Sequence, residues 1–245
     1  MGKLAFVFPG QGSQYVGMGQ DLFAAYAGVR ALFAAVDARL GEKLSELCFS
    51  GPAARLAETA NTQPAVLVTS LASYFMLQEA GLVPDFVAGH SLGEYSALAA
   101  AGVLAADEAA WLVRQRGRYM EEAVPARQGA MAAVLGLAKE QVEEACSAAT
   151  EAGTVVVANL NGPGQVVISG WRAAVERAAA LCREAGAKRV VFLEVSGPFH
   201  SPLMAPAVER LAGDFAKVTW REPSFPVIAN CEAQPLGSVE VIKQA

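Results

Sequence analysis

The chain has 245 residues, of which 53% are hydrophobic and 18% charged, and its formal net charge is −5. This composition predicts a globular protein with ample core, arranged as one large domain or two modest ones. The acidic balance argues against nucleic acid and against an anionic membrane surface as partners, although a local basic patch could still meet an acidic partner.

Cysteine and histidine usage restricts the site chemistry and the compartment. The four cysteines form no C-x-x-C pair, so we expect buried reduced thiols in a cytoplasmic protein. The two histidines have no ligand-spaced companion, and we therefore expect no metal. We expect no cofactor. No stretch approaches the roughly 18 apolar residues of a spanning helix, and the apolar start is too short for a signal sequence.

The first elements in chain order are a strand and two helices. Residues 4–8 are an unbroken apolar run, typical of a strand buried on both faces, and a turn-forming loop follows at residues 9–14. An Ala-rich helix is expected over residues 21–40. The next helix is predicted to begin at Thr62, as its cap, and to stop at Gly81.

A G-x-S-x-G motif follows at residues 89–93, between a short apolar strand and a strong helix former. This is the strand, sharp turn and helix of a nucleophile elbow, in which glycines permit a strained, tightly packed backbone. Ser91 is the candidate nucleophile, at the head of a helix whose dipole favours developing negative charge. The G-x-S-x-G pattern alone is weak evidence for a nucleophile, and the strand before it and the helix after it strengthen the hypothesis.

A serine hydroxyl is a weak nucleophile at neutral pH and requires a base within hydrogen-bond reach. His90 adjoins Ser91, and neighbouring side chains diverge on a tight turn, so it is poorly placed for this task. His200 lies in a loop bounded by Gly and Pro, and we assign it as general base and acid. The alternative is a histidine that simply lies on the surface.

Two loops at strand ends are candidates for stabilising an oxyanion. The backbone N–H of Leu92, just after the nucleophile, is the usual donor of an elbow. Gln11 lies in the loop after the first strand, and ligands collect at the carboxyl ends of parallel strands, so this loop could supply a second donor. The alternative is a simple Gly-rich turn.

Three arginines occupy the helix after the elbow. Arg116 lies four residues after Leu112 and four before Met120, on the apolar stripe, whereas Arg114 and Arg118 are predicted to point elsewhere. An inward arginine requires an anionic partner. That partner is either a core carboxylate or a substrate carboxylate, to which the bidentate guanidinium fork is well suited, and the sequence does not decide between the two.

The middle of the chain, residues 130–195, reads β-α-β-β-α-β, the ferredoxin-like order. Together with the motifs above, it resembles the malonyl-CoA:acyl-carrier-protein transacylases from Leu4 to about Asn230. The matching segments are 8–14 (FPGQGSQ), 89–98 (GHSLGEYSAL), 116–117 (RG), 129–133 (GAMAA), 161–168 (NGPGQVVI) and 199–201 (FHS).

The resemblance implies an α/β fold. An α/β-hydrolase-like large domain with a parallel sheet would comprise residues 1–127 and 196–245, and an inserted ferredoxin-like small domain residues 128–195. It also implies an acyltransferase that moves malonyl from malonyl-CoA to the phosphopantetheine thiol of acyl carrier protein, for fatty acid or polyketide biosynthesis. We expect a monomer.

The resemblance also implies roles for individual residues. Ser91, activated by His200, would carry the malonyl ester, and Arg116 would hold the malonyl carboxylate. Phe199 matches the bulky residue that crowds out a 2-methyl group. The full set of implied oxyanion and substrate-binding positions is Gln11, His90, Leu92, Arg116 and Phe199.

The chain departs from the family at its end, because family members continue for some tens of residues beyond it. The segment from residue 239 reads as the inside of a helix, so we expect a truncated large domain that lacks the carbonyl orienting the histidine. Two alternatives remain: a serine thioesterase or esterase using the same elbow, and a non-catalytic module that docks carrier protein if the truncation is genuine.

Overall fold

A computed structural model describes residues 2–244, which form two compact units. One unit runs up to Gly117 and resumes at Ala212, and the other spans Arg118–Leu211. Met1 and Ala245, which the predicted large domain includes, lie outside the described residues. The predicted domain limits at 127/128 and 195/196 stay a prediction.

The described residues form eight strands and eleven α-helices. The strands are β1 (Ala5–Phe8), β2 (Phe86–Gly89), β3 (Gly129–Leu135), β4 (Val155–Gly162), β5 (Gln165–Trp171), β6 (Arg189–Phe192), β7 (Val227–Ile228) and β8 (Pro235–Leu236). The helices are α1 (Gln20–Ala25), α2 (Ala27–Leu40), α3 (Leu44–Ser50), α4 (Ala53–Leu56), α5 (Thr59–Glu79), α6 (Leu92–Ala100), α7 (Ala106–Glu122), α8 (Lys139–Ala148), α9 (Arg172–Glu184), α10 (Ala205–Phe215) and α11 (Val239–Gln244). Among these helices, none combines the length and the hydrophobicity that a bilayer crossing requires.

The first unit is built on a sheet with the strand order β1-β2-β7-β8. The first three strands are parallel, and β8 pairs antiparallel with β7. Helix α6 follows β2 directly, so the elbow lies between a sheet strand and a helix as the sequence predicts. Because the parallel strands end side by side, the loops that follow them gather at one edge.

Strand β1 differs from its prediction as a strand buried on both faces. It lies at the edge of the described sheet, and Val7 is 74% exposed. Phe6 and Phe8 pack edge-on against Tyr74 of α5, with ring centroids 6.0 and 6.2 Å away. The apolar run is therefore buried mainly on the face that α5 covers.

The helix expected over residues 21–40 is interrupted at Tyr26, whose backbone is extended (φ −114°, ψ 124°). Phe23 of α1 packs against Phe33 and Phe49, with ring centroids 5.7 and 5.0 Å away. Arg30 donates to the carbonyls of Phe23 and Ala24, which α1 leaves without helical donors. Tertiary packing and this side-chain cap thus override local helix propensity.

Helix α5 also differs from its prediction, because it begins at Thr59 rather than at Thr62. The Thr62 hydroxyl donates to the Leu56 carbonyl (2.6 Å), so it ties α5 to α4 instead of capping α5. The earlier start places Thr59 and Gln63 on the first turns of α5, where both contact site residues described below.

The second unit contains the β-α-β-β-α-β order, from β3 through α8, β4, β5 and α9 to β6. Its sheet is antiparallel with the order β4-β5-β3-β6, the ferredoxin-like arrangement. The two helices cover one face of this sheet and bury an apolar cluster that includes Val134, Val142, Ile168 and Val175.

The expectation of four buried thiols holds for three of them and is wrong for the fourth. Cys48, Cys146 and Cys182 are buried, and burial raises the pKa of Cys48 and Cys146 to about 12. Cys231 is exposed, because the segment after β7 lies at the surface.

Candidate active site

The elbow has the strained backbone that its glycines predict. Ser91 precedes the first residue of α6 and has φ 54° and ψ −106°, a conformation that residues other than glycine rarely adopt. A Cβ on Gly89 would lie 1.9 Å from the Gly93 carbonyl, and one on Gly93 would lie 2.4 Å from the Phe8 carbonyl. Close approach therefore excludes side chains on both flanks of Ser91.

An asparagine far along the chain, Asn230, holds this turn from outside. Its Oδ1 accepts from the Ser91 N–H (2.8 Å), and its Nδ2 donates to the Gly89 carbonyl (2.6 Å). Its own backbone N–H donates to Glu94 Oε1 of α6 (3.3 Å). Sequence reasoning missed this residue, which follows the observed strand β7 by two residues and belongs to no motif in the sequence.

Arg116 lies beside the nucleophile. Its Nη2 donates to Ser91 Oγ (3.0 Å), its Nη1 donates to Gln63 Oε1 (2.7 Å), and the guanidinium lies over the Tyr95 ring, 5.8 Å from the centroid. Gly117 permits this placement, because a Cβ there would lie 2.6 Å from Ala60 Cα. Helix α7 can therefore approach α5 closely enough for Arg116 to meet Gln63.

The charge of Arg116 is only partly compensated. Burial lowers the pKa of its guanidinium, while Tyr95 and Glu94 oppose that shift. Within residues 2–244, Arg116 takes part in none of the ion pairs. A guanidinium remains protonated in proteins, so its partners here are a neutral amide and a hydroxyl. Of the two partners left open by the sequence, this favours an anion supplied from outside.

Arg114 corrects the prediction that it points away from the interior. It is only 5% exposed, and its guanidinium pairs with Glu42 and donates to Asn61. Leu112 and Val113 are both buried, so the apolar stripe of α7 is wider than the spacing of Leu112 and Met120 indicates. Arg114 therefore has a partly buried carboxylate partner within the protein, whereas Arg116 forms no ion pair with any of the described residues.

The loop after β1 lies against the elbow. The His90 N–H donates to the Phe8 carbonyl (3.0 Å), and a Cβ on Gly10 would lie 2.6 Å from His90 Nδ1. Gln11 Nε2 donates to Thr59 Oγ1 (3.2 Å), which ties the loop to the start of α5. The loop that carries Gln11 is thus held between the elbow and α5.

Leu92 is the first residue of α6. The N–H groups of a first helical turn have no acceptor within the helix, and the helix dipole favours an anion there. The first unit therefore brings together the candidate nucleophile, a helix N-terminus and a guanidinium.

His200 and Phe199 belong to the second unit. His200 is exposed and has φ 56°, and the Ser201 hydroxyl donates to the Pro198 carbonyl (2.7 Å) to close the same loop. Phe199 is 5% exposed and packs in an apolar cluster with Met131. Packing thus fixes Phe199, the residue before the candidate base. The roles of Phe199 in selectivity and of His200 as base stay predictions.

This arrangement is suited to acyl transfer to a serine. The turn leaves Ser91 half-buried, a helix N-terminus can receive an oxyanion, and a guanidinium at 3.0 Å from Ser91 Oγ can hold a carboxylate of the acyl group.

Comparisons with known proteins agree with this chemistry. The acyl transferase domain family matches residues 5–243. A malonyl CoA-acyl carrier protein transacylase from Bacillus subtilis (strain 168) is 49% identical over 245 residues, which are 100% of this chain and 77% of that protein. The corresponding protein of Escherichia coli (strain K12) is 48% identical, over 100% of this chain and 80% of its own length.

A solved structure shares the fold across nearly the whole chain. The crystal structure of an acyl carrier protein S-malonyltransferase from Vibrio cholerae matches with a TM-score of 0.95 and 47% identity, over 99% of this chain and 80% of that one. A malonyl-transacylase in complex with a type II PKS acyl-carrier protein also gives a TM-score of 0.95, at 44% identity over 100% of this chain and 79% of that one. The α/β-hydrolase-like fold expected from the motifs is confirmed.

Proposed function

Since this chain belongs to the acyl transferase domain family and, within it, to the malonyl CoA-acyl carrier protein transacylases, we infer that it transfers malonyl groups from coenzyme A to acyl carrier protein. It is an [acyl-carrier-protein] S-malonyltransferase, and its product serves fatty acid or polyketide synthesis. Its partners are malonyl-CoA and acyl carrier protein.

One observation supports the assignment of the site most directly. The guanidinium of Arg116 lies 3.0 Å from Ser91 Oγ and forms no ion pair with a carboxylate in the described part of the chain. An esterase acting on neutral esters has no need of a cation at this point. A malonyl group on Ser91 carries a carboxylate two carbons beyond the ester carbonyl, where the guanidinium fork can bind it.

The first half-reaction forms the malonyl-enzyme. Ser91 Oγ attacks the thioester carbonyl of malonyl-CoA while His200 takes the hydroxyl proton. The oxyanion accepts hydrogen bonds from the backbone N–H groups of Leu92 and Gln11. The carbon–sulfur bond then breaks, and the leaving thiolate of coenzyme A takes the proton from His200.

The second half-reaction reverses these steps on a different thiol. The phosphopantetheine thiol of acyl carrier protein gives its proton to His200 and attacks the ester carbonyl of malonyl-Ser91. The same donors hold the second oxyanion, and the ester bond breaks as Ser91 Oγ recovers its proton. Symmetry between the two thiols explains why one site serves both steps.

Substrate selection is assigned to two residues. Arg116 favours malonyl over acetyl, because a hydrogen bond to a charged group contributes roughly 1.5–3 kcal/mol. Phe199 is proposed to limit substitution at the 2-position, since a side chain fixed in a packed cluster cannot yield to a methyl group. His90 is proposed to contribute indirectly: its side chain packs against the loop at Gly10 and so helps to hold that loop beside the elbow.

We propose that residues 128–195 fold as the inserted small domain and that the remainder forms the large one. We also propose that the protein acts in the cytoplasm as a monomer, where its acidic carrier and thioester substrate are both available.

Intact mass spectrometry after incubation with malonyl-CoA tests this function. The protein is expected to gain one malonyl group, and Ser91→Ala is expected to gain none, because it removes the hydroxyl that lies at the head of α6 and 3.0 Å from Arg116 Nη2. Ser147→Ala, which removes an exposed helical serine, is the matched control and should load like the parent. Malonyl remaining on Ser91→Ala at another residue would overturn the assignment, and release of free malonate as fast as transfer would indicate a hydrolase.

A further inference from the structure

Asn230 lies where the sheet stops and the elbow begins. Strand β7 pairs parallel with β2 in the register Val87↔Val227 and Ala88↔Ile228, so both strands end at the same edge. Ser91 and Asn230 each follow their strand by two residues. The side chain of Asn230 therefore meets the elbow just beyond the last backbone pairing of the two strands.

The carboxamide of Asn230 replaces one further backbone pairing between the two strands. A backbone peptide offers one donor and one acceptor, and the Asn230 amide offers the same pair to Gly89 and Ser91 at 2.6 and 2.8 Å. Both bonds hold the backbone of the elbow, one on each side of His90. The turn is thus fixed at its entry and at its exit by one side chain.

The elbow has a physical need for such a partner. A residue other than glycine with positive φ, such as Ser91 at 54°, is strained and persists when its surroundings hold it. The Ser91 N–H also lies at the start of α6, where N–H groups have no acceptor within the helix. Asn230 supplies that acceptor at the strained residue itself.

Glu94 links the same segment to the helix. Its carboxylate accepts from the backbone N–H of Asn230, and it lies on the first turn of α6, two residues after Leu92. Burial raises the pKa of Glu94, while the Asn230 N–H and the charge of Arg116 oppose that shift. Glu94 therefore fixes the backbone of Asn230, while the side chain of Asn230 fixes the backbone of Ser91.

We propose that Asn230 is a positioning residue for the reaction, which fixes the backbone of Ser91 and thereby the direction of Ser91 Oγ relative to the Leu92 N–H. This inference rests on Ser91 being the acylated residue. Among the described residues, the hydrogen bonds of Asn230 go to the backbone of the elbow and to the carboxylate of Glu94, so we expect it to affect the rate of acylation rather than the binding of malonyl-CoA.

Single-turnover loading by malonyl-CoA tests this proposal. Asn230→Ala is expected to lower the rate constant for malonyl-enzyme formation by about 10²-fold, the scale of a misplaced reacting group. The dissociation constant for malonyl-CoA, measured with Ser91→Ala and with the Ser91→Ala/Asn230→Ala double variant, should stay unchanged. A merely structural role would lower the loaded fraction at an unchanged rate constant, and that result would overturn the proposal.

The conservative variant separates the two hydrogen bonds. Asn230→Asp keeps an acceptor for the Ser91 N–H and loses the donor to the Gly89 carbonyl, so its loading rate should lie between those of the parent and Asn230→Ala. A rate no higher than that of Asn230→Ala would contradict the proposal. Glu232→Ala, an exposed change in the same segment, is the matched control and should load like the parent.

A second reagent distinguishes failure of this inference from failure of the proposed function. Phenylmethylsulfonyl fluoride attacks an activated serine without requiring a carboxylate site, so its rate of reaction with Ser91 should also fall in Asn230→Ala. If the parent forms no malonyl ester, the proposed function fails. If the parent loads and Asn230→Ala loads and is sulfonylated at the same rates, the proposed function stands and the role of Asn230 is wrong.

Discussion

Helix α7 carries two inward arginines with opposite electrostatic surroundings. Arg114 is buried against the carboxylate of Glu42 and the amide of Asn61, so its charge is neutralised within the protein. Arg116, two residues on, contacts the amide of Gln63 and the hydroxyl of Ser91, and no carboxylate in the described chain pairs with it. Burial alone therefore does not identify a functional arginine, and the lack of an ion pair beside the candidate nucleophile is the observation on which the proposed role of Arg116 depends.

The difference matters because a buried charge requires compensation. For Arg114, the compensation is permanent and contributes to the folded state. For Arg116, it comes in part from the amide of Gln63 and from the more distant charge of Glu94, and we propose that a substrate carboxylate completes it. The two sites should respond differently to the same change, one in stability and the other in selectivity.

The largest expected effect is on stability, at Arg114. Arg114→Ala leaves Glu42 partly buried without its main partner, and it should lower the free energy of unfolding by about 3 kcal/mol. Urea denaturation measures this loss. The matched control is Arg116→Ala, from which we expect a much smaller loss, because no ion pair is broken there. Equal losses for the two variants would contradict the distinction between the sites.

The next effect is on selectivity, at Arg116. Arg116→Ala should lower the ratio of malonyl to acetyl loading by about one to two orders of magnitude, because it removes a charged hydrogen bond worth roughly 1.5–3 kcal/mol. The ratio of kcat/KM for malonyl-CoA and acetyl-CoA is the measurement. An unchanged ratio would mean that Arg116 is a structural residue like Arg114.

The smallest of the three expected effects is on the KM for malonyl-CoA, in a variant that gives Arg116 a carboxylate partner like that of Arg114. Gln63→Glu would give Arg116 a permanent carboxylate partner in place of the amide that now accepts from it. That carboxylate would compete with malonyl for the guanidinium and repel it, so we expect about a tenfold rise in KM for malonyl-CoA. Acetyl loading should change far less, and a parallel loss for both substrates would instead indicate a disturbed fold.

The elbow and the second unit were predictable because their signals are local. Gly89 and Gly93 are required by close backbone contacts within a few residues of Ser91 and the adjoining strand, and such requirements leave a motif in the sequence. The β-α-β-β-α-β order follows from periodicity and turn residues, and its sheet forms in the expected arrangement. Helix α11 likewise occupies the terminal segment that reads as helical.

The sequence failed where a distant neighbour decides the outcome. The break at Tyr26 depends on an aromatic cluster and on Arg30, and the exposure of Val7 depends on which face of β1 is covered by α5. The inward turn of Arg114 depends on Glu42, which is 72 residues away. Helical spacing places a side chain on a face of a helix, and it does not say which faces other elements will cover.

For this protein, the sequence by itself determined the elbow motif, the order of elements and the family, because these depend on short motifs and on periodicity. Only the tertiary structure decided that Asn230 holds Ser91 across 139 residues, and that Gln63 rather than a carboxylate receives Arg116. Hydrogen-bond partners and burial depend on which segments the sheet brings side by side, and a linear pattern does not contain that pairing.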